Sequence, residues 1–171
     1  MARPIAAIRS VTLAAAWLGL AAGIALGAAP QKGSDAPDFV LKSVSGKNFR
    51  LSEYRGEIVM LSFWATWCGD CRAQLETLGA MRDRYEDAGV ELLAVSLDQN
   101  QRQVDHFADA VGARYPILHD SVGEVGRLYE VSRMPVMVLI DRGGVVRHVF
   151  EGFGRGNERE YLERVQALLR E

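Results

Sequence analysis

At 171 residues, with 49% hydrophobic and 25% charged side chains, the chain carries enough apolar material for one packed domain and is too apolar for disorder. Its net charge is −2; the first 29 residues hold two arginines and no acid, leaving 18 basic against 22 acidic residues in the rest. That mild acidity excludes nucleic-acid binding through bulk charge, and two cysteines exclude a disulfide framework while allowing one reversible pair.

Residues 1–29 read as an N-terminal membrane anchor or signal peptide. Arg3 and Arg9 precede a charge-free apolar run from Val11 to Ala29, 19 residues long. At about 1.5 Å per residue such a run roughly matches a ~30 Å hydrocarbon core. A retained anchor is favoured over a cleaved signal, because Pro30 directly follows the small residues Gly27-Ala28-Ala29. Either reading keeps the positive end in the cytoplasm and exports the rest. Trp17 suits a membrane-embedded or interfacial position. Residues 30–37 read as a short polar linker and 38–171 as the folded domain.

Asp38 to Arg50 predicts a β-hairpin with its turn at Ser45-Gly46-Lys47. Leu51 to Gly56 is a turn or a single helical turn. Ile58 to Trp64 is apolar at nearly every position, as a strand buried on both faces would be. A helix then runs to about Asp87, with Leu75, Leu78, Met81 and Tyr85 on one side and Gly89 as its stop. Val90 to Leu97 is a strand. Asp98 to Val111 is a helix whose Val104, Phe107, Ala108 and Val111 share a face, ended by Gly112. Tyr115 to Leu118 is a short strand that Pro116 marks as an edge or a strand start. Ser121 and Glu124 form a capping box for a helix through Tyr129. Val136–Ile140 and Val145–Phe150 make a hairpin around Asp141 to Gly144. Asn157, with Glu160 three on, caps a last helix that buries Tyr161, Val165, Leu168 and Leu169. The alternation of strands and helices implies a parallel core, and the late hairpin adds antiparallel strands. The expected class is α/β: a mixed central sheet flanked by helices on both sides, with an N-terminal hairpin and an inserted helix.

Both cysteines lie in Trp67-Cys68-Gly69-Asp70-Cys71, directly after the buried strand and before the helix. A cysteine in the first turn of a helix feels the positive end of the dipole and the unpaired N–H groups, which favour the reactive thiolate. A second cysteine one turn on can attack a mixed disulfide held by the first. The pair therefore reads as a redox dithiol.

FWATWCGDC after a buried strand, Met134-Pro135 before the strand VMVLID, the leading hairpin and the inserted helix together resemble the thioredoxin superfamily. Within it they resemble the TlpA/ResA-like branch of membrane-tethered thiol-disulfide oxidoreductases, with a domain of the AhpC/TSA-Redoxin type. The likeness spans roughly Ala36 to Leu169. It implies that Cys68 is the nucleophile and Cys71 the resolving cysteine. It implies that Trp67 shields the pair, with Gly69 and Asp70 between the sulfurs. It implies that Pro135 is a cis-proline facing the dithiol and that the Met134 backbone pairs with a bound substrate segment. No cofactor or metal is expected. Partners would be protein disulfides or dithiols and a membrane electron donor, in a periplasmic or other extracytoplasmic setting. Apocytochrome c cysteines or a copper-delivery protein would be the reduced client.

Three departures from that pattern stand out. Asp70 replaces the usual proline and puts a negative charge beside Cys68, which opposes the thiolate. Ser62 stands where thioredoxin has a buried acid, and Gln74 stands where ResA-like proteins have a glutamate. The proton acceptor for Cys71 is thereby unassigned, with Glu76, Asp70 and water as candidates. Arg72 reads as an exposed helix residue, and its place after Cys71 excludes a c-type haem site. A structural zinc site is disfavoured, since His106, His119 and His148 lie at no ligand spacing to the pair. Two rival functions are a peroxiredoxin-type thiol peroxidase and a Cu(I) metallochaperone. Ala65 and Leu61 occupy the positions where peroxiredoxins carry Thr or Ser and Pro, and no methionine or histidine sits beside the dithiol for copper.

Overall fold

A computed structural model describes residues 30–171. The leader, and with it the anchor-or-signal expectation, lies outside them; among the described residues no helix is long and apolar enough to cross a membrane. The elements follow the expected order: β1 (Val40–Lys42), β2 (Asn48–Arg50), a 3-10 turn (Leu51–Tyr54), β3 (Ile58–Trp64), α1 (Cys71–Tyr85), β4 (Val90–Ser96), α2 (Gln101–Val111), β5 (Ile117–His119), α3 (Glu124–Leu128), β6 (Val136–Ile140), β7 (Val146–Glu151) and α4 (Asn157–Leu169).

Five strands form one sheet in the order β5-β4-β3-β6-β7. β3 pairs parallel with β4 and antiparallel with β6, so the expected mixed sheet is present. Pro116 precedes β5, which is an edge strand. All seven residues of β3 are buried. Its alternate side chains serve different cores, as the two-residue repeat of a strand requires. Val59, Leu61 and Phe63 join Phe39, Leu51, Val125 and Tyr129, so one face is covered by the N-terminal hairpin, the 3-10 turn and α3. Ile58 and Met60 meet Leu78, Met81, Tyr161, Val165 and Leu168 of α1 and α4, while Trp64 meets Cys71, Leu75, Val104 and Phe107 of α1 and α2. Helices thus lie on both sides of the sheet.

The N-terminal hairpin β1–β2 is a small sheet of its own, tied to β5 by the Ser43–Leu118 bridge. Residues 33–36 run along the start of β7: Gly33 N–H donates to the Val146 carbonyl, Val146 N–H to Ser34, and Ala36 N–H to Gly144. Gly144 has φ +77°, and a side chain there would collide with the Arg55 guanidinium, which donates to the neighbouring Gly143 carbonyl.

The starts of α2, α3 and α4 differ from expectation, each for a local polar reason. α2 begins at Gln101, because the Asn100 side chain caps it by accepting from Arg102 N–H; Asp98 is used elsewhere. The N-cap position of α3 is Gly123, and its first-turn N–H groups are satisfied by Asp120, not Ser121: the Asp120 carboxylate accepts from Glu124 N–H and Gly126 N–H. Asn157 is the first residue of α4 and turns its side chain back to accept from Gly154 N–H.

The face that carries Trp64 also carries Ser62, and here the interior becomes polar. Ser62 Oγ donates to Gln74 Oε1 at 2.9 Å, and Gln74 Nε2 donates to the Tyr161 hydroxyl at 3.0 Å. All three residues are fully buried. This chain ties β3, α1 and α4 together with neutral groups. Burial pushes the Tyr161 phenol up, against a smaller lowering by the Gln74 hydrogen bond. Tyr161→Phe keeps the ring contacts with Phe150 and Phe153 but strips the acceptor from a buried amide N–H. The expected cost is about 1–2 kcal/mol, read as a lower urea midpoint at an unchanged slope. An unchanged midpoint would show that the hydroxyl contributes nothing.

Candidate active site

Beyond Trp64 the chain leaves the sheet through Ala65-Thr66-Trp67. Cys68 N–H donates to the Ala65 carbonyl at 3.1 Å and Cys71 N–H to the Cys68 carbonyl at 3.4 Å. These two tight turns delay the regular helix to Cys71, so Cys68 stands on the turn ahead of α1 and not in its first turn. Asp70 already has helical backbone angles and its carbonyl accepts from Gln74 N–H. Cys68 and Cys71 are joined by a disulfide, with their Cα atoms 5.4 Å apart. Both sulfurs therefore lie at the N-terminal end of α1, where the dipole favours negative charge.

The two cysteines differ in access. Cys71 is 0% exposed, held among Trp64, Leu75, Val104, Phe107 and Ile117. Cys68 is partly exposed, and Trp67 beside it is 72% exposed. Gly69 and Asp70 are exposed. The Met134–Pro135 peptide is cis, as the resemblance implied. Met134 is partly buried and packs, with Cys68, against the cluster that contains Cys71. The fold thus gathers Cys68, Cys71, Trp67, Gly69, Asp70, Met134 and Pro135 from two distant stretches of chain, the end of β3 and the start of β6.

Gln74, one turn after Cys71 on the same buried face of α1, belongs to the neutral chain with Ser62 and Tyr161. No carboxylate takes part in that chain. Arg72 pairs with neither Asp70 nor the sulfurs; its guanidinium lies over the Phe107 ring, 4.7 Å from the centroid. Trp64 Nε1 is the one buried side-chain nitrogen or oxygen among the described residues without a hydrogen-bond partner.

Sequence reasoning missed Asp98. It is 3% exposed, and its carboxylate accepts from Thr66 N–H (2.9 Å), Thr66 Oγ (2.7 Å) and Ser96 Oγ (2.9 Å). The signal was present: an aspartate directly after an apolar strand, on the same sheet end as the dithiol. It reads equally well as a helix start, which is how the periodicity of Val104 to Val111 presents it.

The AhpC/TSA family model matches residues 32–149. The chain is 36% identical over 135 residues to the thiol-disulfide oxidoreductase ResA of Geobacillus thermodenitrificans, covering 78% of each protein. It is 39% identical over 120 residues to ResA of Geobacillus kaustophilus, covering 70% of this chain and 69% of that one. A solved structure described as a DsbE-type thiol:disulfide interchange protein from Chlorobium tepidum superposes with a TM-score of 0.79 at 35% identity, covering 82% of this chain and 99% of its own. The chain belongs to the AhpC/TSA family and is a thiol-disulfide oxidoreductase of thioredoxin-like fold.

Proposed function

We propose that this domain is an extracytoplasmic reductant of protein disulfides, held to or released beside the membrane by residues 1–29. The observation that carries the reading is the asymmetry of the pair: one sulfur reachable beside an exposed tryptophan, its partner wholly buried at the start of α1. In the reduced protein the Cys68 thiolate attacks a client disulfide. That S–S bond breaks, a mixed disulfide forms, and one client thiolate leaves and takes up a proton. Cys71, deprotonated in its turn, attacks the Cys68 sulfur and expels the second client thiolate. The product is the Cys68–Cys71 disulfide, and two electrons from a membrane dithiol donor return it to the starting state. Apocytochrome c cysteines or a copper-delivery protein are the clients that this branch suggests.

In this reading Trp67, exposed beside Cys68, shields the pair, and the Met134 backbone, ahead of buried Pro135, supplies hydrogen bonds to an extended client segment. An exported domain would meet disulfides to reduce, because an oxidising compartment keeps generating them.

Two measurements test this. Cys68→Ser abolishes insulin disulfide reduction, whereas Cys71→Ser, expressed in the full chain, accumulates mixed disulfides with its clients. Tight Cu(I) binding by the reduced wild-type pair, together with a Cys71→Ser variant that captures no client, would overturn the reading in favour of copper delivery. Asp70 is open to substitution by proline: its φ is −88°, near the proline value, and its N–H makes no hydrogen bond among the described residues. Asp70→Pro removes a negative charge from beside Cys68, so the thiolate forms at lower pH and the disulfide becomes easier to reduce, by about three- to tenfold in the equilibrium with glutathione. A rise in the pH at which Cys68 titrates would contradict this account of Asp70.

A further inference from the structure

The structure assigns Asp98 as a positioning residue for the dithiol: its buried carboxylate fixes the Thr66–Trp67–Cys68 turn to the end of β4 and biases Cys68–Cys71 towards the disulfide, so that the reduced pair is the stronger electron donor. The inference rests on the redox reading of the pair given above.

The geometry is one of convergence. Asp98 follows β4 by two residues, where the sheet ends. One oxygen accepts from Thr66 Oγ and the other from Thr66 N–H and Ser96 Oγ. Its own N–H donates to Ser96 Oγ, and its carbonyl accepts from His119 Nε2 at 2.7 Å. Leu97 N–H, just before it, donates to the Trp64 carbonyl. Asp98 is therefore tied to the ends of three strands, β3, β4 and β5. Only exposed Trp67 separates the residue it holds, Thr66, from Cys68. Apart from this anchor, the segment between Trp64 and Cys71 is held by buried Ala65, the two turn hydrogen bonds, the Asp70 carbonyl and the disulfide, and once the disulfide is reduced Thr66 is its one side chain hydrogen-bonded to the neighbouring strand.

The charge matters as much as the anchor. The Asp98 carboxylate receives three neutral hydrogen-bond donors and makes no ion pair among the described residues, so no opposite charge offsets it. Buried charge acts over longer range than exposed charge, because less water screens it. A negative charge anchored to Thr66, two residues before Cys68, raises the cost of the thiolate and leaves the neutral disulfide untouched. The equilibrium 2 GSH + protein disulfide ⇌ GSSG + protein dithiol is thereby held to the left, which is the poise of a reductant. Asp70 acts in the same sense from the exposed side.

The test is a redox titration of the full chain against glutathione, run beside unfolding curves and client reduction kinetics. Asp98→Asn deletes the charge and is expected to ease reduction about tenfold, equivalent to about 30 mV. Thr66→Val keeps the charge and, like Ser96→Ala, loses one donor; the disulfide is expected to become about threefold harder to reduce, opposite in sign to Asp98→Asn, while kcat/KM for insulin disulfides falls. Thr66→Ser, which keeps the hydroxyl, restores the rate. Ser96→Ala is the reserve variant if Asp98→Asn does not fold: it strips one neutralising hydrogen bond, and the disulfide becomes about threefold harder to reduce. The inference is overturned if the folded Asp98→Asn protein, or Ser96→Ala in its place, titrates with wild type. It is equally overturned if Asp98→Asn and Thr66→Val shift the equilibrium by the same amount, which is what a purely structural tie would do. A wild-type pair that does not exchange with glutathione at all would instead remove the redox reading itself.

Discussion

Seven consecutive buried residues make β3 the strand around which the rest of the domain packs. Its odd-numbered side chains fill the core under the hairpin and α3, and its even-numbered ones fill the core under α1, α2 and α4. Such a strand cannot slip by one residue without exchanging the two faces. The register fixes Trp64 as its last residue and so fixes where the chain must turn. Cys68 and Cys71 stand at that turn. Their reach, burial and electrostatics all follow from this constraint.

The chemistry of the site is set less by the sulfurs than by the charges admitted near them. The helix dipole of α1 favours a thiolate. Two acidic residues are near it in the fold, exposed Asp70 and buried Asp98, and both are proposed to oppose the dipole; Arg72 is turned away onto Phe107. Below Cys71 the interior is polar but uncharged, with Ser62, Gln74 and Tyr161 satisfying one another. The proton that Cys71 exchanges therefore meets no carboxylate in that chain.

Much of the fold was legible because apolar periodicity reports burial directly. The two-sided burial of β3, the shared face of Val104, Phe107 and Ala108, and the edge position of β5 each follow from side-chain spacing or a proline. The dithiol was legible because two cysteines three apart after a buried strand have few other uses. What the sequence concealed were polar contacts between distant residues. Ser121 and Asp120 are both good caps, and only the backbone path makes Asp120 the one that reaches Glu124 and Gly126. Asp98 matches a helix start locally, yet its partners are Thr66, thirty-two residues earlier, and Ser96. Gln74 looked like the loss of a titrating group; its neutral partners, on β3 and α4, become visible only when the helices dock.

The central claim is that this pair gives electrons away. The most direct measurement is the reduction potential of Cys68–Cys71 in the full chain. The account predicts a value in the range of thioredoxin, about −270 mV, and a value near about −120 mV, where the reduced form is the stabilised one, would contradict it.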